Sequence, residues 1–144
     1  MVDWREYEHL LAELLDKVRL SRFDDIIAIG RGGSIISAYL ASRLGNPTFY
    51  PIFLRHIDKG DETQIDTGNI RLYNQLRALT GSLLLVDDYL RDGTAMKYAI
   101  NLLPKNASIE TLVMYNRIDS DFKPDFVGEY INDSEIMFPY DALG

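Results

Sequence analysis

Residues 83–96, Leu-Leu-Leu-Val-Asp-Asp-Tyr-Leu-Arg-Asp-Gly-Thr-Ala-Met, constrain the fold more than any other stretch. An apolar run from Leu83 to Val86 stops at two carboxylates, Asp87 and Asp88, and Gly93-Thr94 then leads into an apolar-periodic segment. The pattern predicts a buried strand, an acidic tip, a tight polar turn and a helix start. In an open α/β sheet, ligands bind beyond the carboxyl ends of the strands. Two acids there can accept hydrogen bonds from vicinal hydroxyls, and the amides of a helix N-terminus suit a phosphate. Acids for a sugar beside amides for a phosphate point to a ribose 5-phosphate site.

A second turn repeats this logic. Ile26 to Ile29 form a short apolar run that meets Gly30-Arg31-Gly32-Gly33-Ser34, followed by helical spacing from Ser34 to Leu44. Glycines let a backbone approach an anion closely, and Arg31 supplies a forked cation matched to phosphate oxygens. The plain alternative is that the glycines only make a tight strand-to-helix turn.

The rest of the chain alternates in the same way. Trp4, Tyr7, Leu10, Leu11, Leu14, Leu15 and Val18 recur at helical spacing. Thr48 to Leu54 predict a strand, with Pro51 favouring an edge or a bulge. Residues 57–69 are polar and glycine-containing and predict a long mobile loop; Ile70 to Leu79 are ambiguous. Thr94 to Leu103 predict a helix stopped by Pro104, Ile109 to Tyr115 a strand, and Phe126 to Phe138 two short strands. Alternating strands and helices imply an α/β fold with a mostly parallel sheet. At 144 residues, one domain with one core is expected over 1–144.

Composition excludes several classes. There is no cysteine, so neither a disulfide nor a thiolate metal site can form. No apolar run approaches the roughly 20 residues needed to span a bilayer, and the N-terminus lacks a signal-peptide layout, so a cytoplasmic protein without a membrane partner is expected. A net charge of −7 opposes a broad nucleic-acid surface. A dinucleotide fingerprint fails at Ile35, and Tyr50 and Pro51 stand where a ribose-binding acid belongs. No P-loop lysine is present, and too little chain follows Asp88 for a phosphorelay receiver. Zinc is disfavoured with histidine only at His9 and His56. His9 falls opposite the apolar stripe of the first helix, whereas His56 enters the polar loop, where a site role stays open.

Asp87-Asp88 followed by Gly93-Thr94 resembles the phosphoribosyl pyrophosphate (PRPP) signature of type I phosphoribosyltransferases, and Gly30-Arg31-Gly32-Gly33 resembles their pyrophosphate loop. The tail Ile136-Met137-Phe138-Pro139-Tyr140-Asp141 is similar to the ending of the xanthine-guanine and related purine subgroup. The resemblance implies a mostly parallel sheet with helices on both faces and a small C-terminal hood. It implies transfer of ribose 5-phosphate from PRPP to a nucleobase, a purine in this subgroup. Asp87 and Asp88 would bind ribose hydroxyls and, through them or through water, Mg2+. Asp92, Gly93, Thr94 and Ala95 would cradle the 5-phosphate, and Arg31, Gly32 and Gly33 the pyrophosphate. Arg117 and Ile136 would face the base, the loop around Lys59 to Gly68 would close over the site, and the subunits would pair as dimers. The chain departs from the family at three places. Arg91 holds the position of a third acid that takes a proton near the base, Asp92 holds that of a threonine, and Glu135 that of an aromatic stacking on the purine. Three readings therefore stand: a transferase that depends on what Arg91 can do, a catalytically weak or inactive sensor or regulatory protein that binds PRPP or nucleotides, and an interaction protein whose site is vestigial.

Overall fold

The computed structural model describes residues 1–57, 62–65, 70–132 and 135–141. In chain order its elements are α1 (Trp4–Val18), β1 (Asp25–Ile29), α2 (Gly30–Arg43), β2 (Thr48–Ile52), β3 (Leu54–Ile57), β4 (Glu62–Ile65), α3 (Ile70–Arg77), β5 (Ser82–Leu90), α4 (Thr94–Leu102), β6 (Ser108–Arg117) and β7 (Phe126–Ile131). Five strands form one sheet in the order β2-β1-β5-β6-β7, and every neighbouring pair is parallel.

The central strands are apolar without alternation because both of their faces are covered. Leu84 and Val86 of β5 join Ile26, Leu112 and Met114 in a cluster beneath α1 and α2. Leu83 and Leu85 turn the other way, with Ile27 and Val113, against Leu76 of α3 and Met96 and Ala99 of α4. The α1 stripe forms as its spacing predicts, except that Trp4 is exposed and stands edge-on to Tyr7. Asp3 caps α1 by accepting the Glu6 amide at 2.8 Å. Pro51 lies on β2, whose free edge tolerates a missing N–H donor.

Several boundaries differ from the sequence expectation. The expected strand 48–54 is broken at Phe53: β2 stays in the sheet, and Leu54 starts β3, which pairs antiparallel with β4. The expected loop 57–69 thus contains a strand, Glu62–Ile65; its other residues beyond Ile57, including most of the Lys59–Gly68 stretch, lie outside the described residues. The ambiguous segment after it is helical over Ile70–Arg77. Among its described residues the tail holds one strand, β7, where two were expected, and residues 135–141 form a cover over α1 and β6. That cover is tied down by Val2 N–H to the Met137 carbonyl at 2.9 Å and by Phe138 packing on Tyr7 and Tyr115. Among the described residues no helix is long and apolar enough to cross a membrane.

Candidate active site

The strand order places a crevice between β1 and β5. From β1 the chain passes through α2 to β2 on one side, and from β5 through α4 to β6 on the other. The two connections leave in opposite directions, so the carboxyl ends of β1 and β5 form the switch point at which open α/β sheets bind ligands. Both sequence-predicted turns meet there.

The acid pair is not a free tip. β5 continues through it, with Asp87 opposite Val113, Tyr89 opposite Tyr115 and Leu90 opposite Asn116. Hydrophobicity ends at Val86, but the ladder bonds do not, because β6 extends as far as Arg117. The two carboxylates differ in their other partners. Asp87 lines an open pocket, and its Oδ1 accepts the Asp88 amide at 2.8 Å. Burial, and then the neighbouring Asp88 carboxylate, push the Asp87 carboxyl well above the usual carboxylate range; the amides of Asp88 and Tyr89 oppose the shift. Asp88 lies instead against the head of α2. Its Oδ2 accepts the Tyr140 hydroxyl at 2.5 Å.

The glycine turn is the first turn of α2, which begins at Gly30 and not at Ser34. Gly30 has φ +66° with open space around it. Gly32 and Gly33 serve close packing: a β-carbon on Gly32 would collide with Asp88 Oδ2, and one on Gly33 would lie 2.6 Å from the Val86 carbonyl oxygen. Arg31 is exposed at the helix head.

At the end of β5, Arg91 and Asp92 turn into Gly93, which has φ +84° and caps α4 without a side-chain bond. The pocket, about 300 Å³, is lined by Asp87, Tyr89 and residues 90–96. The amides at a helix head lack intrahelical acceptors. Asp92 Oδ1 takes one of them, the Thr94 N–H, at 3.0 Å. That bond, helped by the Thr94 hydroxyl and the Arg91 charge, draws the Asp92 carboxyl below its usual range.

The base-site candidates fall further out. Arg117 ends β6 and is clamped by Asp119 through Nε–Oδ1 at 2.9 Å and Nη2–Oδ2 at 2.6 Å. A second recess of about 400 Å³ joins Arg117 and Asp119 to Arg91 and Asp92. Ile136 packs on the core beside α1, and Glu135 is exposed. His9 pairs with Glu13 on the surface of α1, as its position predicts, and His56 is in register with Thr63 on the β3–β4 hairpin. Among the described residues no group of three or more histidines, cysteines or acids could hold a metal.

Two partners were not among the sequence expectations. Tyr140 meets Asp88 across 52 residues, a separation with no local signal. Asp119 follows Arg117 at i+2, a short-range acid–base pair whose clamp a closer reading of the pattern would have caught.

A parallel sheet wound in both directions from a switch point, with helices on its faces, defines a doubly wound α/β protein. The phosphoribosyl transferase domain family matches residues 2–139, and the chain belongs to it. A purine phosphoribosyltransferase from Pyrococcus horikoshii Ot3 superposes with a TM-score of 0.84 at 20% identity, over 99% of this chain and 93% of that one. A protein from Neisseria gonorrhoeae with bound ppGpp gives 0.75 at 21% identity over 98% and 88%. The xanthine-guanine-hypoxanthine phosphoribosyltransferase of Helicobacter pylori gives 0.72 at 13% identity over 90% and 84%. At these identities the likeness is one of fold. A glucose-6-phosphate isomerase from Nostoc punctiforme (strain ATCC 29133 / PCC 73102) is 41% identical over 69 residues, which are 47% of this chain; the chain spans 12% of that relative's length.

Proposed function

We propose that this chain binds PRPP with magnesium and transfers its ribose 5-phosphate to a nucleobase of the purine type, slowly. The observation that carries this reading is the pocket that joins Asp87 to the amides at the head of α4. The 5-phosphate is held by the amides of residues 93–95 and the Thr94 hydroxyl, and a ribose hydroxyl donates to Asp87. Asp88 offers its remaining oxygen to the sugar, and Arg31 with the Gly32 and Gly33 amides takes the pyrophosphate.

Two carboxylates without a third donor suit Mg2+ that is held mainly by the ligand and by water, and a cation would relieve the mutual repulsion of Asp87 and Asp88. When bound, magnesium neutralises charge on the departing pyrophosphate. The protein's own contribution is positioning and fixed negative charge beside a ribose that becomes cationic in the transition state. Ile136 and Arg117 flank the base, and Asp119 holds the Arg117 fork in place. Arg91 stands where a proton acceptor is needed, and a guanidinium stays charged at working pH. The family match over 2–139 supports one domain.

A second reading, a sensor of PRPP or a guanine nucleotide, is favoured by Asp92, which already occupies part of the amide cradle. The N. gonorrhoeae protein, which binds ppGpp on the same fold, supplies a candidate ligand. Calorimetry with magnesium PRPP, ppGpp and nucleoside monophosphates, beside a coupled assay over purine and pyrimidine bases, separates the two. Micromolar PRPP binding with measurable purine turnover supports the transferase. Tight ppGpp binding without turnover supports the sensor, and binding of none of these ligands removes both.

A further inference from the structure

Three segments far apart in the chain meet at one point. Gly32 at the head of α2 leaves the space that the Asp88 carboxylate fills, and a β-carbon there would also lie 2.8 Å from the Tyr140 hydroxyl. Tyr140 donates to Asp88 Oδ2 at 2.5 Å. Its ring is held on two sides: it stacks on Phe138 at 5.2 Å with an interplanar angle of 6°, and it meets Tyr7 edge-on at 5.6 Å. Tyr7 is fully buried in α1. The tail that carries the ring is closed by a turn in which Asp141 Oδ2 accepts the Phe138 amide at 2.7 Å and the Asp141 amide bonds back to the Phe138 carbonyl at 3.0 Å. Pro139 occupies the second position of that turn, where its fixed φ is favoured. The direction of the Tyr140 hydroxyl is therefore set by packing and not by a free rotor.

We infer that Tyr140 is a positioning residue for Asp88: its hydroxyl fixes one carboxylate oxygen against Gly32, so that the other is aimed into the crevice between β1 and β5. The inference rests on the PRPP reading above. A free aspartate at a strand end samples several rotamers, and freezing one has an entropic cost at the moment of binding. A hydrogen bond from a held phenol meets that cost during folding, and a charge-assisted bond of this kind is among the stronger ones. The acid pair is then divided. Asp87 faces the pocket and is held by backbone amides of its own strand, while Asp88 is set in place by α1 and the C-terminal tail.

Tyr140→Phe keeps both ring contacts and deletes the donor. Calorimetric titration of the full chain with magnesium PRPP is expected to show about tenfold weaker binding, the scale of one hydrogen bond to a charged group. In the Asp88→Asn background the same change is expected to add no further loss, because contacting residues are non-additive. Gly32→Ala places a methyl against both the Asp88 carboxylate and the Tyr140 hydroxyl, and it is expected to reproduce the loss. Undiminished affinity in Tyr140→Phe or in Gly32→Ala, or losses that multiply in the Asp88→Asn background, would overturn the inference while the PRPP reading survives. Absence of PRPP binding by the native chain would instead remove the reading itself, and this inference with it.

Discussion

Asp92 Oδ1 accepts the Thr94 N–H at 3.0 Å, so a carboxylate of the protein sits at the head of α4, where an incoming phosphate would seek the same amides. A side-chain anion and a ligand anion then compete for one helix terminus.

Asp92→Asn is expected to raise affinity for magnesium PRPP about two- to fivefold, the equivalent of the roughly 0.3–1 kcal/mol carried by a charge at a helix terminus. The same charge stabilises the free helix. Because the folded Asp92 carboxyl titrates below its usual range, that stability is fully present above about pH 4 and is lost as pH falls through the folded value. Thermal melts of wild type and Asp92→Asn should therefore differ at pH 7 and draw together as the pH falls below the usual carboxylate range. Equal PRPP affinity would show that the phosphate bypasses the Thr94 amide.

Asp87 runs in the opposite sense. Its folded carboxyl titrates well above the usual range, so its ionisation opposes folding at neutral pH, and this cost disappears below the unfolded value of about 4. Asp87→Asn, measured in chelator-containing buffer, is expected to be more stable than wild type at pH 7–8, with the gain shrinking toward pH 4. PRPP binding by the variant should fall, since the amide cannot match the carboxylate as an acceptor. A variant that is less stable at every pH would contradict the burial argument.

Arg91→Asp restores a proton acceptor near the base. General-base help is worth roughly 10²–10⁴-fold, so a coupled assay should show a clear rise in turnover with PRPP affinity little changed. Loss of PRPP binding would instead mark Arg91 as a phosphate ligand, consistent with its position on both recesses.

Gly93→Ala tests the turn itself. Gly93 combines φ +84° with a β-carbon position 2.6 Å from Phe122 Cβ, so strain and collision add, and a loss of about 2–3 kcal/mol is expected in denaturant titration. Gly30→Ala, with φ +66° but open surroundings, should cost about 1–2 kcal/mol. Equal penalties would mean that Phe122 yields freely.

What the sequence determined by itself was local. Short apolar runs, helical spacing and glycine-bearing turns specified α1, β1, α2, β5, α4 and β6, because backbone propensity and side-chain period act over a few residues. The acid pair and both helix heads were legible for the same reason. Register and contact were decided by tertiary structure. β5 runs on past Val86 because β6 supplies partners for Tyr89 and Leu90, and a strand ends where ladder bonds end, not where hydrophobicity does. Residues 62–65 pair as a strand although three of the four are polar, since β3 offers an antiparallel edge. Asp87 and Asp88, adjacent in the chain, were sent to different surroundings by what packs on each: an open pocket for one, Gly32 and Tyr140 for the other. Those neighbours lie more than fifty residues away on either side of the pair, where no period or motif reaches, and only the closing of the sheet under α1, α2 and the C-terminal tail brings them within a hydrogen bond.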